Sequence, residues 1–291
     1  MGTSKGYGGP STGLVPSWVD DPAPGVGPGL APAMPGVPAS PMPGAPGQGL
    51  PAVPPPMAPA QPDTSGAGGL GGARGSFSRF ARTGSRSSLG SALANYVRSG
   101  TGGARRAARR MGASRAAGAR LLGVVRDVQR FGAVETLRQL NLPELAGRPA
   151  ADVFLAILEF ICPPGGAVDE AIARQAMLET IGDLAEAGVG DFDTMTADQM
   201  QEFFLDFVAR SIEGRVMADL GARGITLPDD VATVESAQQQ LHDFVTGCTR
   251  GELSGRLDDV ESLGDRDVER VVNEIYEAAF ELVAAAGEAS E

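Results

Sequence analysis

Proline and aromatic residues are distributed so unevenly that the chain divides into a part that can fold alone and a part that cannot. Seventeen of the 22 prolines lie at or before Pro62, and no aromatic residue occurs between Trp18 and Phe77. A segment of this composition has too little apolar bulk to offset the entropy lost when its backbone is ordered. We therefore expect a long disordered N-terminal arm that is rich in proline and glycine.

Composition also predicts how the chain is organised. Residues 1–21 contain a wider range of residue types than the tract after them, which is typical of a short linear motif. Residues 22–87 are rich first in Pro, Gly and Ala and then in Gly, Ser and Arg, which favours a disordered linker. Residues 88–114 predict a basic, partly helical connector, and residues 115–286 predict an acidic all-helical domain.

Apolar residues recur with a helical period through the second half of the chain, which indicates a series of amphipathic helices. One apolar stripe ends at residues 162–166, Cys-Pro-Pro-Gly-Gly, because proline lacks the backbone donor that a helix needs. Thr196 and Gln199 form a capping-box pattern that predicts the start of a long helix. A final helix is expected from about Asp265, with residues 287–291 frayed. These patterns predict an all-α fold with a bundle-like C-terminal domain.

Charge is separated along the chain as sharply as proline. Residues 71–130 contain thirteen arginines and a single acidic residue, Asp127, whereas residues 131–291 carry ten arginines and 32 acidic residues. Opposite charges within one chain predict one of two arrangements. Either the basic segment lies across the acidic helices, or it binds an external polyanion, and the sequence leaves both open.

Four arginines form the densest part of the basic segment: Arg105, Arg106, Arg109 and Arg110. On a helix this spacing could place guanidinium groups along one side, where they would contact phosphates. Aromatic residues that could stack on bases are sparse nearby, so such binding would be mostly electrostatic and sensitive to salt. A nucleic-acid-binding adaptor that acts through residues 98–130 is therefore an alternative function, beside docking on this chain or on a partner subunit.

The residue types that common enzyme mechanisms require are scarce. His242 is the only histidine and Lys5 the only lysine, which excludes a P-loop and leaves little basis for a histidine-dependent hydrolase or metal site. Acid pairs such as Asp229 and Asp230 are better explained as helix caps than as metal ligands. We therefore expect a non-enzymatic protein without a metal or another cofactor.

Cysteine content and hydropathy predict the compartment. Cys162 and Cys248 have no paired spacing, so we expect two buried thiols in a reducing environment. The N-terminus shows no basic region followed by an apolar run, and the longest apolar stretch, residues 153–158, is too short to cross a bilayer. The expectation is a cytoplasmic protein with no membrane segment.

The first residues of the chain contain two candidate recognition elements. Removal of Met1 would expose the small amine of Gly2, which could enter a narrow modifying site, whereas Gly6 departs from the myristoylation pattern. Trp18, with Leu14 close before it, is the only large anchor in the arm. It could fill a pocket of a partner protein or fold back onto the helical domain.

Four strings of the sequence resemble the QatB family of the bacterial Qat anti-phage system. They are GTSKGYGGP at residues 2–10, LVPSWVD at 14–20, ARRAARRMG at 104–112 and CPPGG at 162–166. The resemblance spans most of the chain outside the proline-rich spacer. These strings are not catalytic motifs, so they identify a family rather than a mechanism.

The resemblance implies three partners: an ATPase (QatA), a QueC-like enzyme (QatC) and a TatD-like nuclease (QatD). It further implies that the QueC-like enzyme conjugates a deazaguanine-type group to Gly2 and recognises Thr3 and Ser4. On this basis we expect a non-enzymatic partner subunit whose arm is recognised, and modified at Gly2, by the QueC-like partner. The helical domain is expected to mediate assembly of the complex.

Overall fold

The computed structural model describes residues 69–221 and 231–290. The candidate recognition residues Gly2, Thr3, Ser4, Leu14 and Trp18 lie outside the described residues, as does the expected disordered arm up to residue 68. Within the described ranges the chain is helical and forms no β-strand beyond one isolated bridge, between Pro149 and Asp191. The predicted all-α class is therefore confirmed.

Eleven α-helices occur in the described part of the chain. They are α1 (Gly71–Thr83), α2 (Arg86–Asn95), α3 (Ala104–Arg109), α4 (Gly112–Phe131), α5 (Ala133–Gln139), α6 (Ala150–Ala156), α7 (Leu158–Ile161), α8 (Val168–Glu186), α9 (Ala197–Gly221), α10 (Val231–Ser254) and α11 (Asp265–Ala289). A π-helical turn, Tyr96–Gly100, follows α2, and short 3-10 turns lie at Pro143–Leu145, Phe192–Thr194 and Val260–Ser262.

Helix α9 lies at the centre of the fold, where it packs against α4, α8 and α10. It begins at the predicted capping box: the Thr196 amide donates to Gln199 Oε1 (2.9 Å), and the Gln199 amide donates to Thr196 Oγ1 (3.2 Å). Its predicted apolar stripe is buried, and Phe203 stacks on Phe154 of α6 with ring centroids 4.0 Å apart. Residues 203–209 are all buried, so neighbouring helices enclose the middle of α9 on every side rather than along one stripe, while the capping box fixes its start.

The Cys-Pro-Pro-Gly-Gly joint separates α7 from α8 as the sequence predicts. Cys162, at the end of α7, is buried and donates a hydrogen bond from Sγ to the Ala173 carbonyl (3.6 Å). Cys248 is half-buried rather than fully buried, and both thiols are free. Burial raises the pKa of Cys162 to about 11 and also raises the pKa of Cys248.

The folded domain begins earlier than the composition indicates. Helices α1 and α2 lie in residues 71–95, which we expected to belong to the linker and the connector. Phe77 and Phe80 of α1 and Leu89 and Leu93 of α2 are buried in the same core as the later helices. The reason lies in the tertiary contacts of these helices. They have few apolar residues of their own, but α10 and α11 cover those residues.

Helix α2 crosses α11 at a pair of glycines. A Cβ atom at Gly90 would lie 2.8 Å from the Gly287 carbonyl oxygen, and a Cβ at Gly287 would overlap the carbonyl oxygen of Gly90. Gly287 is buried, and α11 continues to Ala289. The expectation that residues 287–291 fray is therefore wrong for the end of α11, because α2 packs on it.

Candidate docking surface

The basic segment runs antiparallel along α11, and its arginines meet polar residues of that helix in order. From the end of α11 towards its start, the pairs are Arg98 with Glu288 and Glu281, Arg105 with Glu277, Arg115 with Asn273, and Arg126 with Asp265. Successive contacted residues on α11 are four, seven or eight positions apart, which is about one or two helical turns. They therefore lie on one side of the helix. Of the two arrangements that the sequence leaves open, the structure therefore shows the basic segment lying across the chain's own acidic helix.

Most of these contacts are exposed to solvent. Arg98 contacts Glu281 at 2.8 Å and Glu288 at 2.9 Å, and Arg105 contacts Glu277 at 3.1 Å, with 70% of the Arg105 side chain exposed. Exposed pairs contribute little to stability and are screened by salt. Arg126 differs because its side chain is only 11% exposed and contacts both Asp127 and Asp265. The row of pairs thus positions the basic segment more than it stabilises the fold.

A second polar contact point lies around Asp219, close to Arg110, the last of the four clustered arginines. The Asp219 carboxylate accepts hydrogen bonds from Tyr96 Oη (2.9 Å) and Arg215 Nε (3.2 Å) and lies 3.7 Å from Arg110 Nη2. Burial, and then the nearby Asp219 carboxylate, raise the pKa of Tyr96 well above its usual range. Arg74 of α1 also donates to the Asp219 carbonyl (2.9 Å). This contact point joins the N-terminal helices to α9.

Arg106 and Arg109 have a different environment from Arg105 and Arg110. They lie three positions apart on α3, both are exposed, and neither contacts a carboxylate among the described residues. The four predicted arginines are therefore not equivalent: Arg105 and Arg110 bind acids of this chain, whereas Arg106 and Arg109 face solvent. Among the described residues, four of the thirteen arginines in residues 71–130 form ion pairs, namely Arg98, Arg105, Arg110 and Arg126.

A groove of about 430 Å³ lies beside this surface, between α4 and the first half of α11. Arg115 and Arg120 line it, and small residues of α4 form its floor: Gly112, Ala116, Ala119 and Gly123. Arg120 donates to the Ile161 carbonyl (3.1 Å), whereas the buried Nε of Arg115 has no hydrogen-bond partner among the described residues. The groove is not among the features predicted from the sequence, although small residues spaced three or four apart on α4 mark it.

Large apolar side chains are also exposed on the described domain. Phe131 (48%) and Val134 (57%) lie at the junction of α4 and α5, and Leu155 (53%) and Phe160 (50%) lie on α6 and α7. Side chains of this kind are common in surfaces that bind other proteins. The domain therefore offers both cationic and apolar groups to a partner.

Comparison with protein-family models identifies the family of this chain. A family model described as Qat anti-phage system associated protein QatB matches residues 102–283, which is more than half of the 291 residues. The chain belongs to the QatB family. The QatB match includes the arginine-rich string and the Cys-Pro-Pro-Gly-Gly joint, and it begins after α1 and α2. No curated protein and no solved structure matches the chain.

Membership in the QatB family makes the chain a component of the Qat anti-phage system that associates with other components of that system. The described residues contain no group of three or more His, Cys, Asp or Glu side chains arranged to hold a metal ion. Among the helices described, none is both long enough and apolar enough to span a bilayer.

Proposed function

We propose that this QatB-family chain is a non-enzymatic partner subunit with two separate tasks. Its N-terminal arm is recognised, and modified at Gly2, by a QueC-like partner (QatC), while its helical domain assembles with other components such as the QatA ATPase and the TatD-like QatD. The assembly part of the proposal rests on the difference within the arginine cluster. Arg106 and Arg109 are exposed and have no carboxylate partner in residues 69–221 or 231–290. Unneutralised guanidinium groups on a folded surface are suited to bind carboxylates of another protein.

The state of the reactive side chains supports a non-enzymatic role. Burial raises the pKa of Cys162 to about 11, which keeps it a thiol rather than a nucleophilic thiolate. The Ser211 hydroxyl is buried and bonded to the Tyr276 hydroxyl (2.7 Å) and to the Val208 carbonyl (2.8 Å). Both groups serve the core and are not presented to a substrate.

The arm is tested by deleting residues 2–10 from the full-length protein. We expect loss of phage protection, and loss of any mass increase on the N-terminal peptide when the neighbouring genes are co-expressed, because Gly2 and its recognition residues are gone. The midpoint of urea unfolding should not change, since the described domain begins at residue 69. Intact-mass analysis and plaque assays measure the two outcomes.

The matched control for this deletion removes residues 40–48, nine residues of the proline-rich spacer. It shortens the arm equally but keeps residues 1–21, and protection and modification should persist. Unchanged protection after deletion of residues 2–10, or equal loss in both variants, would contradict a specific role for the N-terminus.

The assembly surface is tested by the double variant Arg106→Ala/Arg109→Ala. We expect its affinity for the other Qat components to fall by about thirtyfold, since each of the two arginines should contribute on the order of 1 kcal/mol across an interface. The control Arg256→Ala/Arg266→Ala removes the same charge from two exposed arginines outside the basic segment. Its affinity should change less than about twofold. Equal losses of affinity in the two double variants would show that net charge, and not the position of Arg106 and Arg109, determines binding.

The nucleic-acid adaptor remains a second candidate because the same two arginines are exposed and form no ion pair within the described part of the chain. A phosphate-binding strip along the whole basic segment is disfavoured because four of its arginines already bind acids of this chain: Arg98, Arg105, Arg110 and Arg126. Salt-titrated binding of the full chain to duplex DNA distinguishes the two functions. Affinity that falls steeply with salt and depends on Arg106 and Arg109 would favour the adaptor over protein assembly.

A further inference from the structure

A cavity of about 290 Å³ lies between α8, α9 and α10, away from the basic segment. Leu184, Val189 and Phe203 form an apolar wall, and Thr180, Asp206 and His242 form a polar wall. Its volume is at the lower end of the range for small-molecule sites. An apolar wall opposite a few polar groups is the usual arrangement of such a site.

Thr180 supplies an observation that the fold itself does not explain. The residue is only 2% exposed and lines the cavity, yet its hydroxyl has no hydrogen-bond partner among the described residues. A buried hydroxyl without a partner costs free energy, and buried polar groups in native proteins are almost always paired. A ligand in the cavity could supply the missing partner.

The charges around the cavity favour a cation. Asp183, Glu202 and Asp206 line it. Two further carboxylates pair with residues at the cavity: Glu179 with Arg210, and Glu213 with His242. Arg210 is shared among Asp206 (3.2 Å), Glu179 (3.4 Å) and Asp183, while Arg250 binds Glu202 at the rim (2.8 Å). Five carboxylates therefore face two arginines and one histidine.

The environment of His242 shows the same excess of negative charge. Its Nδ1 lies 3.3 Å from Glu213 Oε2, and its Nε2 lies 3.7 Å from Asp206 Oδ1. The hydrogen bond with Glu213, together with the two carboxylate charges, raises the pKa of His242 despite its partial burial and the nearby Arg210. The surroundings of this side chain thus stabilise positive charge.

We propose that this cavity binds a small organic cation, namely a primary amine carried on a compact apolar body. The ammonium group donates hydrogen bonds to Thr180 Oγ1 and to the Asp206 side of the cavity, and the apolar body lies against Phe203 and Leu184. This site is independent of the proposed docking function.

The test is isothermal titration of the full-length protein with two primary amines of different apolar body, 2-phenylethylamine and isoamylamine. Phenylacetate and 2-phenylethanol serve as anionic and neutral ligands with the same aromatic body as 2-phenylethylamine. We expect saturable binding of at least one amine and none of the acid or the alcohol. Absence of saturable binding by both amines, or equal binding of the alcohol, overturns the proposal.

Two variants then locate the binding. Thr180→Val keeps the side-chain shape but removes the hydroxyl, and it should weaken amine binding by about tenfold. Thr180→Ser keeps a hydroxyl and should stay within about threefold of the original affinity. Thermal unfolding of both variants checks that the fold is retained, and Val at an unpaired threonine should not destabilise it. Amine affinity that is the same in Thr180→Val as in the original protein places the amine elsewhere and overturns the proposed site.

Discussion

Replacing Gly287 by alanine is expected to lower the free energy of unfolding by about 2–3 kcal/mol, because overpacking at a tight contact costs this much. The added Cβ would overlap the backbone carbonyl oxygen of Gly90 and lie 3.2 Å from the Cβ of Ala94. A backbone oxygen cannot move aside as a flexible side chain can, so α2 has to shift away from α11. Urea unfolding of the full-length protein, followed by circular dichroism, measures the change.

Gly182→Ala is the matched control for this substitution. Gly182 also lies inside a helix, α8, but it is exposed and nothing lies within 4 Å of an added Cβ. The same substitution there should raise the free energy of unfolding by about 0.5–1 kcal/mol, because alanine is the better helix former. If both variants were stabilised, the close crossing of α2 and α11 would be wrong.

Asp219→Ala should be destabilising by about 2–4 kcal/mol, since removal of one member of a largely buried ion pair leaves the other groups unsatisfied. The Asp219 side chain is 14% exposed and accepts hydrogen bonds from Tyr96 and Arg215. Its loss leaves the buried Tyr96 hydroxyl without its acceptor and removes the contact with Arg110. Asp169 still pairs with Arg215, which limits the loss.

Glu274→Ala provides the comparison for Asp219→Ala. Glu274 is also a helical carboxylate paired with an arginine, Arg270, but its side chain is 49% exposed. Its removal should change the free energy of unfolding by no more than about 0.5 kcal/mol. Equal effects at Asp219 and Glu274 would show that Asp219 does not join the N-terminal helices to α9.

The helices that could be predicted from sequence are those whose local signals agree with one another. In α9 the capping box of Thr196 and Gln199 precedes a continuous apolar stripe, and α11 begins at the expected Asp265. Helices α1 and α2 lack such agreement, because glycine, serine and arginine dominate them and their few large apolar residues are covered by distant helices. The domain start was therefore placed too late.

The candidate sites were less predictable than the helices because they depend on how helices pack. Sequence spacing identified Arg106 and Arg109 as part of a cluster, but it could not show that Arg105 and Arg110 would be neutralised by Glu277 and Asp219. The cavity near Thr180 combines residues of three helices that are far apart in the chain. The sequence around Thr180 does not indicate that its hydroxyl is buried without a hydrogen-bond partner among the described residues.

The crossing of α2 with α11 bears on the order in which the domain can be completed during synthesis. Leu89 and Leu93 belong to α2, which leaves the ribosome well before the α11 surface that covers it. Closing a loop of this length costs entropy that only the finished contact repays. A chain that stops before Asp265 would leave the α2 face open, so this face can be covered only after α11 has been synthesised.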